Sequence, residues 1–231
     1  MSKKHDVVPG TAYHLISRFV AKQWFVASHV ERDEYLRLLG TALAGSDWRC
    51  FSYAVMSNHI HLGLVAGKVP LGLWLPLAHS PFAIWTNERL ERIGAVFVRG
   101  PTLRGVLPDG VARLIAYVHN NPVRAGVVGR ASQSSWTSQR AYEGSARVPS
   151  WLDVSLGLQL TGFATGKELG AWVETSNVDR AELELALASS RPRGRPCSIP
   201  DFMVRSDREM RYQNPSDCGR DDVTRDIDGL G

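Results

Sequence analysis

The stretch RCFSYAVMSNHIHLGLVA, residues 49–66, constrains the fold more than any other part of the chain. Two runs of β-favouring residues flank Ser57-Asn58, a two-residue link with turn chemistry, and the pattern predicts an antiparallel hairpin. In the second run Ile60, Leu62 and Leu64 point one way while His59, His61, Gly63 and Val65 point the other. The first face is wholly aliphatic and requires a core beneath it. The second carries two imidazoles one pleat apart, roughly 6–7 Å between alpha carbons, close enough to converge on one cation, with room beside them at Gly63. Two histidines that hydrogen-bond to neighbours, or that lie on a solvated sheet face, are the other reading of the same pattern.

The segments around the hairpin supply what a covered sheet needs. TAYHLISRFV, 11–20, alternates and predicts a first strand, and 30–46 carries Val30, Tyr35, Leu38, Leu39, Ala42 and Leu43 on one helical face. A second helical region, 71–90, contains Pro76 and Pro81, which must kink or split it. Residues 94–110 are rich in Gly and Pro and read as loop with a short extended piece. A third helix spans about 109–121 and stops before Pro122. The order of strand, helix, strand pair and helices predicts an α+β domain with helices packed on an antiparallel sheet.

Past residue 150 the texture changes. Thr165 with Glu168 and Asp179 with Glu182 have capping-box spacing, predicting short helices over about 166–175 and 180–189. We therefore divide the chain into a main domain at 1–150, a helical appendage at 151–190, and a basic, then polar, flexible tail at 191–231. The 231 residues are 44% hydrophobic with seven tryptophans, enough for a packed core. No apolar run approaches the eighteen or so residues of a membrane span, and MSKKHDVVPG has no apolar segment behind its lysines, so a cytoplasmic protein is expected. Cys50, Cys197 and Cys218 lack metal-site or CxxC spacing and are expected as reduced thiols. The 27 basic against 23 acidic residues permit a polyanionic partner without demanding one.

A second polar cluster lies in VARLIAYVHNNPVRAG, 111–126. At about 100° per residue, Val111, Leu114, Ile115 and Val118 form a buried stripe with Tyr117 at its edge and Asn121 between the two. His119 points away from the stripe by the same arithmetic. Asn121 could offer an oxygen to a metal while Tyr117 directs its phenol to the same place; ordinary edge packing is the competing reading of that tyrosine.

The segments YHLISR (13–18), AVMSNHIHL (54–62), YVHNNPVRAGVV (117–128) and SSWTSQRAYEG (134–144), in this order, resemble the single-tyrosine HUH transposases and, within them, the REP-associated tyrosine transposases. The resemblance covers roughly residues 11–145; Ser57 stands where the family pattern has proline, and Val98 where it has glutamine. It implies a ferredoxin-like sheet-and-helix nuclease that binds and cuts single-stranded DNA. His59 and His61 match the HUH pair and Asn121 the polar residue one turn after the tyrosine, so these three would hold a divalent metal, Mg²⁺ or Mn²⁺. Tyr117 matches the catalytic tyrosine, which would form a 5′-phosphotyrosine and release a 3′-hydroxyl.

The substrate implied is a DNA hairpin with adjacent single strand, handled by a monomer rather than a homodimer. Candidate DNA contacts are Arg18, Arg99, Arg104, Arg124, Arg140, Arg193 and Arg195, chiefly to phosphates. PRGRP at 192–196 has the form of a minor-groove Arg-Gly-Arg hook, with a basic flexible linker as the competing and simpler reading. Trp24, Phe25, Trp48 and Trp136 could stack on unpaired bases, with core packing expected for most of them. Two other functions fit the same residues: a DNA-binding regulator of the same fold that has lost cleavage, and a small zinc hydrolase.

Overall fold

Strand β1 (Ala12–Arg18) runs through the middle of the sheet and leads into helix α1 (His29–Ala44). The computed structural model describes residues 7–176 and 178–187. Ser28 caps α1: its side chain accepts from the Val30 amide, and its own amide donates to Glu31 at 2.7 Å. The buried face of α1 begins at Tyr35 and continues through Leu38, Leu39, Ala42 and Leu43. Val30, expected on that face, is exposed in the first turn, before the helix reaches the core.

Strands β2 (Arg49–Val55) and β3 (His59–Val65) form the predicted hairpin, closed by a hydrogen bond from the Met56 N–H to the His59 carbonyl at 2.9 Å. Helices α2 (Leu71–Trp74) and α3 (Pro76–Arg89) follow, divided at Pro76, which sits in the first turn of α3. Pro81 does not split α3. It lies on the exposed side together with Leu77, so water can serve the helical carbonyl that the missing proline N–H does not reach. Strand β4 (Thr102–Gly105) is the extended piece expected in the Gly/Pro-rich segment, and it completes a sheet of order β2-β3-β1-β4, antiparallel at every pairing. The β-α-β-β-α-β succession in that spatial order is ferredoxin-like.

Helix α4 (Val111–His119) ends at Asn120, and a further turn, α5 (Asn121–Arg124), begins beyond it with Pro122 in its first positions. The expected stop before Pro122 is therefore a break at Asn120 followed by a renewed turn. After α6 (Gln139–Tyr142) come α7 (Val154–Thr161), α8 (Gly166–Thr175) and α9 (Arg180–Ala186). The last two stand where the capping boxes place them: Thr165 accepts from the Glu168 amide and Asp179 from the Glu182 amide. Helix α7 was not foreseen, although Asp153 caps its start and left-handed Gly162, φ 75°, its end.

The sheet separates two cores. On one side Ile60, Leu62 and Leu64 of β3, all fully buried, join Leu15, Tyr35, Leu39, Trp74 and Phe82 under α1 and α3. On the other, Ala12, Phe51 and Ala54 pack with Leu114, Ile115 and Val118 of α4 and with residues of α7, α8 and α9. Helix α4 thus lies on the face of β3 that bears the histidines. No helix among the described residues is long and apolar enough to cross a membrane. The tail at 191–231, with Cys197 and Cys218, lies outside the described residues; Cys50 is a buried free thiol, and burial pushes it up to about 12.

Candidate functional site

Register places the site. In the β1–β3 pairing Ile16 stands opposite His61, Arg18 opposite His59, and His14 opposite Gly63, so these side chains share one face. The rings of His59 and His61 meet edge to face with centroids 4.6 Å apart. His59 Nδ1 bonds Asn58 Oδ1 at 2.5 Å; a carboxamide oxygen only accepts, so Nδ1 carries the proton and Nε2 of the neutral ring is a free lone pair. His61 is turned otherwise. Its Nδ1 lies 2.8 Å from His14 Nε2, and its Nε2 is buried without a hydrogen-bond partner.

All three rings are neutral at pH 7. Burial, seconded by the positive charge of Arg18, takes His59 down to about 4; burial followed by Arg104 and Arg18 takes His14 to about 3; His61 falls well below 6.5, again mainly by burial. Neutral imidazoles keep the lone pairs that a cation requires.

Tyr117 reaches this cluster from α4. Its ring packs edge-on against His61 with centroids 5.8 Å apart and against His14 at 6.1 Å. The Tyr117 carbonyl accepts from Asn121 Nδ2 at 3.1 Å and from Arg124 Nη2 at 2.6 Å. Arg124 also donates to the Val178 carbonyl at 3.0 Å. The break at Asn120 frees that carbonyl from the helical ladder. Asn121 is buried, and the bond to Tyr117 commits its nitrogen, which leaves Oδ1 as the atom able to turn towards a cation.

Of the expected DNA contacts, Arg18, Arg104 and Arg124 share the face of the histidines. Arg18 bonds Thr102 Oγ1 at 3.0 Å, and Arg104, opposite His14 on β4, is ion-paired with Glu184 of α9. Arg99 is exposed before β4 and Arg140 bonds the Ser145 carbonyl from α6; the contacts that tie the other three to the site do not include them. Arg193 and Arg195 lie outside the described residues.

One expectation needs correction. The room beside Gly63 is already filled: a Cβ there would lie 2.3 Å from Ser52 Oγ and 2.6 Å from the Phe51 ring. His119 points away from the stripe, as the helical arithmetic has it, but not into solvent. It is fully buried, within 2.6 Å of both Gln139 Oε1 and Ser138 Oγ, because 134–142 folds over the side of α4 that single-helix arithmetic leaves open. Sequence reasoning also missed His14, whose motif was noted but whose place depends on strand register.

Among the described residues no group of three or more His, Cys, Asp or Glu side chains is arranged to hold a metal ion. A cation here would have two imidazoles and an amide oxygen. The partnerless His61 Nε2 and the free lone pair of His59 fit that role.

The sheet order and the helix carrying Tyr117 across its histidine face give the chain a transposase fold. A solved structure of a REP-associated tyrosine transposase bound to a REP hairpin matches it at a TM-score of 0.52 and 12% identity, over 67% of this chain and 93% of that one. A second, a transposase-designated protein of Deinococcus radiodurans R1, matches at 0.37 and 15% identity, over 64% of this chain and all of its own. No family profile and no curated protein matches the chain. The likeness is one of fold.

Proposed function

We propose that the chain is a metal-dependent single-strand DNA endonuclease and strand transferase that cleaves beside DNA hairpins through a 5′-phosphotyrosine intermediate. The observation that carries this reading is the meeting of Tyr117 with His61, a buried imidazole whose Nε2 has no partner. A structural tyrosine–histidine contact gives no reason to leave a buried ring nitrogen unsatisfied; a ligand position does.

A divalent cation held by His59, His61 and Asn121, Mg²⁺ or Mn²⁺, would supply Lewis-acid polarisation of the phosphoryl oxygens. The residues do the rest. Tyr117 Oη attacks phosphorus, the tyrosyl O–P bond forms, and the P–O3′ bond breaks; the phenol gives up its proton and the departing 3′ oxygen gains one. The product keeps the phosphoester energy in the Tyr117 linkage, so a second 3′-hydroxyl can reverse the exchange and join a new end. Arg124 and Asn121 hold the turn that carries Tyr117. Arg18, at the open end of β1 beside His59, offers positive charge to the DNA backbone.

Incubation of hairpin-bearing single strands with Mn²⁺, followed by denaturation, tests the proposal. A covalent protein–DNA adduct that Tyr117→Phe abolishes is expected. Tight binding with no adduct under any divalent metal would make the chain a DNA-binding regulator instead, and stoichiometric zinc without DNA affinity would make it a hydrolase.

A further inference from the structure

We infer that His14 is a positioning residue: it accepts the Nδ1 proton of His61 and so fixes the tautomer whose Nε2 lone pair faces the cation site. This rests on the metal-site reading above.

The two rings share one hydrogen. His14 Nε2 and His61 Nδ1 are 2.8 Å apart, and two neutral imidazoles can place only one proton between them. If His14 donated, the remaining proton of His61 would sit on Nε2, a buried N–H with no acceptor within reach. If His61 donates, Nε2 presents a lone pair, which a cation can satisfy. The second arrangement is also the one in which metal-ligating histidines usually occur, with the distal N–H given to an acceptor that orients the ring.

The backbone prepares this pairing. His14 stands opposite Gly63, so no β3 side chain comes between it and its diagonal neighbour His61. Their planes are 20° apart with centroids 5.0 Å apart, His14 is 1% exposed, and Tyr117 packs edge-on against both rings. One contact would then set the direction of a ligand lone pair on the side where the tyrosine arrives.

The tautomer can be read without metal. Two-bond ¹H–¹⁵N histidine spectra of the metal-free protein are expected to show His61 protonated at Nδ1 and bare at Nε2; a protonated Nε2 overturns the inference. His14→Phe is expected to weaken Mn²⁺ binding, followed by EPR titration, by about 10–100-fold. His14→Gln, whose oxygen can accept the same N–H, should stay within a few-fold of the parent. Parent-like affinity in His14→Phe, or a third imidazole nitrogen coupled to bound Mn²⁺, also overturns it. If His14→Phe does not fold, the parent spectra still decide. Mn²⁺ affinity that His59→Ala leaves intact would instead sink the metal-site reading itself.

Discussion

The guanidinium carbon of Arg124 lies 3.9 Å from the centroid of the Tyr117 ring, and the same side chain bonds the Tyr117 carbonyl at 2.6 Å. One arginine therefore holds both the backbone and the ring of the proposed nucleophile. Anchored in turn to the Val178 carbonyl, it restricts the phenol to a narrow set of directions.

Arg124→Ala should consequently impair reaction more than folding. The lost cation–π contact and charged hydrogen bonds are worth about 1–3 kcal/mol of stability together. Adduct formation should slow by about 10–100-fold, because a small misplacement of a nucleophile costs on that scale. Arg124→Lys keeps the charge but cannot bridge two carbonyls and cover the ring, so it should fall between the two. Denaturant melts and adduct time courses measure both effects, and a parent-like rate in Arg124→Ala would remove Arg124 from the site.

Two histidines away from the site, His119 buried and His79 largely so, make stability sensitive to acid. His79, in contact with Ser17, Tyr35 and Phe97, and His119, between Gln139 and Ser138, are both taken to about 3, chiefly by burial. Between that value and the unfolded value near 6.5, the unfolded chain binds protons that the folded one refuses. Their contribution is thus whole above pH 6.5 and is lost as pH falls. From pH 7 to 5 each should cost roughly 2 kcal/mol. Urea melts at the two pH values should show this drop, and His119→Gln should make it shallower; equal slopes for parent and variant would contradict the assignment.

Much of this could be read from the chain, because alternation and capping are local. The aliphatic face of β3 and the start of α8 at Thr165 depend on residues a few positions apart, and both stand as expected. His14 and His119 depend on distant partners. The first needs the pairing of β1 with β3 and the second the fold of 134–142 over α4, and neither leaves a periodic trace. Tyr117 and Asn121 fall between these cases: helical spacing puts them together, but the break at Asn120 that brings Asn121 and Arg124 onto the Tyr117 carbonyl belongs to the tertiary structure.

Gly63→Ala tests how tightly the sheet is packed beside the histidines. The added methyl would collide with Ser52 Oγ and the Phe51 ring, so about 1–3 kcal/mol of stability should be lost. Since Gly63 is opposite His14, Mn²⁺ affinity should fall as well. A parent-like melt would show that β2 can yield at this point.

The four aromatic candidates for base stacking are now distinguishable. Phe25 and Trp48 are buried, and Trp136 is half-covered, with the Arg32 guanidinium 4.5 Å from its ring centroid. Trp24 is 72% exposed. It follows a tight turn in which Ala21 and Lys22 adopt left-handed φ of 50° and 54°, and its loop is tied down on both sides: Phe19 and Val26 donate to the carbonyls of Asn58 and Ser57, immediately before His59. A large indole this exposed contributes little to the core, so Trp24→Ala should shift stability by no more than about 0.5 kcal/mol. If one unpaired base stacks on it, affinity for single-stranded DNA should fall by about 1–3 kcal/mol, or roughly 5- to 150-fold. Binding titrations at fixed salt, alongside quenching of tryptophan fluorescence in parent and variant, measure the difference; unchanged affinity would leave Trp24 as surface alone.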